Sequence, residues 1–187
     1  AVYNPIRSNL VLDARKKGIK AEGGLYMLVS QAIYASEIFS GTKLDAKICE
    51  KIYKEILLSK ENIVLVGMPS CGKTTIGHYL ACQTDRELID TDDEIVKKIG
   101  MEISEFFKLY GEEKFREIES EVIKDACSKN GVIIATGGGA ILRDENVRYM
   151  KQNGRVYFIN RSLEMLTPTC DRPTASDYEA LRKRYEE

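Results

Sequence analysis

The stretch Asn62–Leu80, NIVLVGMPSCGKTTIGHYL, constrains this chain more than any other. Ile63–Val66 is an apolar, mostly β-branched run, and it predicts a buried strand. The run ends in Gly67-Met68-Pro69-Ser70-Cys71-Gly72-Lys73-Thr74, which fits G-x-x-x-x-G-K-[ST], and a helical pattern follows. Strand, glycine loop and helix N-terminus in that order make an anion site, because the loop N–H groups converge on a phosphate and the helix dipole favours its charge. In such a site Lys73 reaches the outer phosphates and the Thr74 hydroxyl holds Mg2+. A nucleotide is therefore expected on Ser70, Cys71, Gly72, Lys73, Thr74 and Thr75.

The rest of the chain narrows the setting. A length of 187 residues allows one domain, or one domain with an appendage. A formal net charge of -1 argues against a broad nucleic-acid surface and against a polybasic membrane anchor. No apolar run approaches spanning length, and no signal-peptide pattern opens the sequence. The 5 cysteines are an odd number without metal-ligand spacing, which points to reduced thiols in the cytoplasm. Cys71 reads as a tolerated filler of the loop. His78, the one histidine, reads as a structural or surface residue, so a histidine-based triad is not expected.

Beyond the loop, Ile76, Tyr79, Leu80 and Cys82 are expected to face the sheet from the helix. Glu87–Asp90 predicts a short second strand that delivers Asp90, Thr91, Asp92 and Asp93 at its C-terminal end, where ligands bind in open α/β sheets. One carboxylate there, Asp90, suits Mg2+, and another, Asp92, suits orienting a hydroxyl and taking its proton. The competing reading is a helix cap, with Thr91 or Asp92 as the capping residue. Residues 93–99 and 102–109 predict two short helices around Gly100, and Glu112–Lys129 predicts a long amphipathic one. On it Arg116 and Glu119 lie three apart; they form either an ordinary surface pair or a carboxylate clamp in which Glu119 holds Arg116. Gly131–Thr136 predicts another buried strand, ending in Gly137-Gly138-Gly139, where a small ligand can lie against bare backbone. Asp144–Asn153 predicts a helix and Arg155–Ile159 a further strand. Thr167–Thr174 reads as a mobile lid whose Arg172 swings over phosphates, or else as a surface loop with a solvated arginine.

The first sixty residues have a different character. They predict a short helix before Gly18, a turn at Gly23-Gly24, and a helix over Leu25–Phe39 with Leu28, Ala32, Ala35 and Phe39 on one stripe. Thr42–Asp45 then caps a helix bearing Leu44, Ile48, Ile52 and Ile56. Three short helices without a sheet make a poor independent domain, so an appendage packed on something larger is expected.

Two resemblances add to these readings. Tyr3-Asn4-Pro5, Ala14, Gly18, Gly23-Gly24 and Met27-Leu28-x-x-Gln31-Ala32 resemble the C-terminal end of shikimate dehydrogenases, over roughly residues 1–57. Gln31 stands where that family contacts shikimate, but the dinucleotide fingerprint is missing, so Gln31 reads as a helix surface residue and no dehydrogenase activity is expected. The loop GMPSCGKTT, Asp90-Thr91-Asp92, Phe115-Arg116 with Glu119, Thr136-Gly137-Gly138-Gly139 and Arg172-Pro173 resemble shikimate kinases in order and spacing, over roughly residues 60–187. That likeness implies a P-loop α/β fold, a central parallel sheet flanked by helices, with a short helical N-terminal appendage. It implies ATP and Mg2+ as cofactors and shikimate as the acceptor. Asp92 would then bind the hydroxyl that is phosphorylated, Arg116 the carboxylate, the triplet Gly137, Gly138 and Gly139 the ring, and Arg172 the ATP phosphates, leaving Lys73, Asp92 and Arg172 as the catalytic set. The lid reads Arg172-Pro173-Thr174 where the family usually has Arg-Pro-Leu. The sequence opens at Ala1 and closes at Glu187, and the expectation is part of a fused shikimate-pathway polypeptide with an upstream dehydrogenase domain. Another P-loop small-molecule kinase and a non-catalytic fragment are the alternatives.

Overall fold

The structure, a computed structural model, describes residues 2–166 together with Glu179 and Arg182. Its centre is a parallel sheet of four strands, β1 (Asn62–Val66), β2 (Leu88–Asp90), β3 (Ile133–Ala135) and β4 (Gly154–Phe158), in the order β2-β3-β1-β4. The two central strands are the most continuously apolar, as parallel strands covered on both faces must be. Val64, Ile133 and Ile134 are fully buried. They pack with Val66, Ile89, Ile123 and Met150 into the main core. The register places Asp90 opposite Ala135 and Ala135 opposite Leu65, so the three strand ends open on one edge.

Helices cover the sheet. α4 (Lys73–Thr84) links β1 to β2, α5 (Thr91–Ile99) and α6 (Ile103–Ser128) lead to β3, and α7 (Asp144–Asn153) leads to β4. Gly111, at φ 80 and ψ 172, breaks α6, so the part carrying Arg116 is a newly started helix. Ile95, Phe106, Phe115 and Val122 form a second core between α5 and α6. Cys127 lies at the buried end of α6, and burial pushes its thiol up from an ordinary 9.0 to about 12.

The expected sheet-facing side of α4 is corrected. Tyr79 and Cys82 are exposed, and Gly77 is the buried residue of that helix beyond Lys73. A Cβ on Gly77 would stand 2.7 Å from Leu88 Cδ1, so β2 reaches the helix through a position with no side chain.

The N-terminal residues form α1 (Asn9–Lys16), α2 (Leu25–Ser40) and α3 (Ala46–Lys60). Asp45 caps α3, its Oδ1 accepting the Lys47 N–H at 2.9 Å. The stretch before α1 is strapped to the sheet domain: the Ile6 N–H donates to Asn153 Oδ1 at 2.9 Å and the Arg7 N–H to Gln152 O at 2.9 Å. The Arg7 guanidinium reaches Gly154 O and the carboxylate of Glu61. Arg155 meets the other oxygen of Glu61 at 3.0 Å. Glu61 is only 5% exposed, and a buried carboxylate between two arginines is a compensated charge. The expected apolar stripe of α2 is also corrected: Leu25 and Val29 are buried, whereas Leu28 is 43% and Phe39 91% exposed. Between α2 and α3 lies an apolar groove of about 520 Å3, lined by Leu25, Val29, Ile33, Ile52 and Ile56 among others.

Candidate active site

The loop between β1 and α4 has the shape its sequence predicts. Gly72 sits at φ 95, a conformation that glycine adopts at little cost, and it starts α4 with the helix N-terminus turned to the loop. Ser70 holds φ 62 without being glycine, a strained backbone of the kind that clusters at ligand clamps. Lys73 is 5% exposed, and its ammonium donates to Gly67 O at 2.9 Å and Met68 O at 2.7 Å. These bonds hold the loop closed around its own lysine. Cys71 is buried against Leu166 with Met68, Ile159 and Leu163 beside it, which agrees with a filler role.

The end of β2 faces this loop. The Thr74 hydroxyl donates to Asp90 Oδ2 at 2.7 Å, so the two residues expected at Mg2+ are brought together. A hydroxyl and a carboxylate oxygen are the hard donors that magnesium takes. Among the described residues, no group of three or more His, Cys, Asp or Glu side chains could hold a metal. An ion at Thr74 and Asp90 would therefore complete its shell with phosphate and water oxygens. Asp90 Oδ1 accepts the Asp92 N–H at 3.0 Å, so Asp90 caps α5. The expected cap is thereby corrected: Asp90, and not Thr91 or Asp92, caps α5.

The glycine turn after β3 closes the arrangement. The Gly137 N–H donates to the Thr91 hydroxyl at 3.0 Å, with Thr91 fully buried. A Cβ on Gly137 would stand 2.8 Å from Asp92 Oδ1 and 3.0 Å from Glu119 Oε1, so both carboxylates lie against this one residue. At Gly138 the space belongs to Pro69: a Cβ would stand 2.6 Å from its ring carbons and 2.9 Å from its nitrogen. At these two positions the absent side chains also make room for the phosphate loop and for two carboxylates. Gly139 opens a short 3-10 turn, Ala140–Leu142.

The clamp is corrected in one part. Arg116 is held by Glu112, whose Oε1 accepts from Nε at 2.9 Å and also from a terminal nitrogen, and not by Glu119. The Arg116 side chain is 16% exposed and Glu112 52% exposed, so the pair lies at the rim of the site. Glu119 is 2% exposed and turned inward to Gly137. Arg172 lies outside the described residues. Sequence reasoning missed Pro69, an unspecified position of the loop motif, and Thr91. The signal for Thr91 was its place one residue after a strand end, between two aspartates.

Comparison with known proteins shows what the chain is similar to. The family model described as shikimate kinase matches residues 69–186. A shikimate kinase of Caldicellulosiruptor bescii is 46% identical over 106 residues, which are 57% of this chain and 62% of that protein. One from Thermodesulfovibrio yellowstonii is 43% identical over 117 residues, 60% of this chain and 68% of its own. The chain thus spans under two thirds of the first relative's length. Among solved structures, a shikimate kinase from Acinetobacter baumannii in complex with shikimate is matched with a TM-score of 0.66 at 33% identity, over 71% of this chain and 78% of the other.

Proposed function

Since this chain belongs to the shikimate kinase family, we propose that it transfers the terminal phosphoryl group of ATP to the 3-hydroxyl of shikimate. One observation carries the reading. The phosphate loop, through Pro69, meets the glycine turn at Gly138, and the same turn carries the Asp92 and Glu119 carboxylates at Gly137. This supports the reading by putting the wall proposed for the phosphate donor beside the one proposed for the hydroxyl acceptor.

The roles follow from the chemistry of a loose transition state, in which the protein positions reactants and offsets charge. The N–H groups of Ser70, Cys71, Gly72, Lys73, Thr74 and Thr75 cradle the phosphates. Lys73 turns from its loop carbonyls to the outer phosphates when nucleotide enters. Thr74 and Asp90 would hold Mg2+, which would supply positive charge beside the phosphoryl oxygens. Asp92 orients the acceptor hydroxyl and takes its proton. Arg116 clamps the shikimate carboxylate with two parallel N–H donors, the turn at Gly137, Gly138 and Gly139 lines the ring, and Arg172 closes over the phosphates. The thiols of Cys49, Cys71, Cys82 and Cys127 are unpaired among the described residues, which supports a reducing, cytoplasmic setting. Among the described residues no helix is long and apolar enough to cross a membrane.

The test is coupled ADP release with and without shikimate, with gluconate and nucleoside monophosphates as comparison acceptors. Release that depends on shikimate alone is expected; release driven by another acceptor overturns the reading. A second reading concerns residues 1–57, which we take as kin to the end of a shikimate dehydrogenase that serves a dehydrogenase domain in a longer chain. These 187 residues alone are expected to show no shikimate-dependent NADP reduction, and such reduction would overturn that expectation.

A further inference from the structure

We propose that Arg143 is a positioning residue for Arg116, setting the spacing between the glycine turn and the helix that faces it. Resting on the reading above, it adds a residue to which neither the motifs nor the family likeness gave a role. Arg143 follows the turn Ala140–Leu142 and immediately precedes α7. Its guanidinium crosses to α6, donating from one nitrogen to the carbonyl of Arg116 at 3.4 Å and from another to Glu113 Oε1 at 2.9 Å. Both acceptors lie just beyond the break at Gly111, in the first turns of a newly started helix. An outside tie at this point helps fix where the restarted part of α6 lies against the turn that carries Arg143.

The other end of the brace is well hydrogen-bonded. The Ala140 N–H donates to Gly137 O at 3.2 Å and the Leu142 N–H to Gly139 O at 3.1 Å. Asn146, fully buried, donates its side-chain N–H to Ala140 O at 3.0 Å, and its own N–H bonds Arg143 O at 3.0 Å. Glycine turn, 3-10 turn and the start of α7 are thus joined by hydrogen bonds, and Arg143 links them to the Arg116 backbone. A forked guanidinium serves two acceptors at once, which a lysine ammonium at the end of a flexible stem does less well. The Arg143 side chain is 29% exposed, so its removal leaves no large cavity.

The experiment uses the whole chain and the variants Arg143→Ala and Arg143→Lys. Arg143→Ala is expected to raise KM for shikimate about tenfold, with kcat and KM for ATP within about threefold, and Arg143→Lys to recover part of that loss. Amide hydrogen exchange over residues 112–118 is expected to quicken in Arg143→Ala and to return toward wild type in Arg143→Lys. A fall in kcat with KM for shikimate unchanged, or exchange that does not move, overturns the proposal. Wild-type chain without shikimate-dependent turnover overturns the kinase reading instead, and the exchange measurement then decides on Arg143 by itself.

Discussion

Gly138→Ala is the most informative single change, because it tests the meeting of the two walls. Gly138 is not among the glycines at positive φ, so alanine is conformationally acceptable and only the contact matters. Its new Cβ would stand 2.6 Å from Pro69 Cδ and Cγ and 2.9 Å from the Pro69 nitrogen. Ordinary contact begins near 3.4 Å, so the proline must retreat by about 0.8 Å. The ring is fixed to the backbone at Pro69, and the whole phosphate loop shifts with it. Overpacking of this kind costs about 1–3 kcal/mol of stability, or roughly 2–12 °C in Tm for a chain of this length. A misplacement of about 1 Å at a reacting centre costs on the order of a hundredfold in rate. Gly138→Ala should therefore lower kcat/KM for both ATP and shikimate by roughly ten- to a hundredfold in coupled ADP release, while circular dichroism shows the fold retained. Adding Pro69→Ala should restore part of both. Turnover within about twofold of wild type, with Tm unchanged, would refute the argument that this contact sets the loop.

Other consequences can be checked in the same assay and by unfolding. Asp92→Asn keeps the shape beside Gly137 but removes the base, so turnover should fall by about a hundredfold or more while ATP affinity, measured by calorimetry, persists; unchanged turnover would remove Asp92 from its role. Arg116→Ala should raise KM for shikimate about tenfold or more with ATP unaffected, and Glu112→Ala should do far less because that partner is 52% exposed; equal effects would mean that the ion pair, not the clamp, matters. Cys127 provides a pH test. Its thiol is neutral in the fold up to about 12 and ionises near 9.0 once unfolded, so its contribution to stability is intact below pH 9 and is lost as pH rises toward 12, by at most ~1.4 kcal/mol per pH unit. Urea unfolding at pH 8 and pH 10.5 should show that loss in wild type and not in Cys127→Ala; equal losses in both would mean that other groups cause it.

The skeleton of the sheet domain was legible because its signals are local. The helix over Asp144–Asn153 came out at its exact ends, and β1, the phosphate loop and the start of α4 follow from a β-branched run and glycines at fixed offsets. Faces were less legible. The side of α4 toward the sheet could not be read from apolar spacing, because the contact runs through Gly77, whose lack of a side chain looks like weakness in a helix. The partner of Arg116 was ambiguous for a related reason: Glu112 and Glu119 are both within a helical turn's reach of it, and only burial of Glu119 by Gly137 separates them. Pro69 was invisible because its partner, Gly138, is far away in sequence. The stripe expected on α2 failed where the helix has no neighbour among the described residues to bury Leu28 or Phe39.

The strap at Ile6 and Arg7 has a consequence for how the chain comes to be assembled. Its hydrogen bonds to Asn153 and Gly154 each join residues 147 apart in sequence. Closing so long a loop gains nothing until α7 and β4 exist, so this contact belongs late in folding. During synthesis Ile6 and Arg7 leave the ribosome with their acceptors not yet made, at a pace of about 5–20 residues per second. For several seconds, α1 and the arginine that meets Glu61 must wait beside a growing sheet domain, and β4 joins that sheet only as the wait ends.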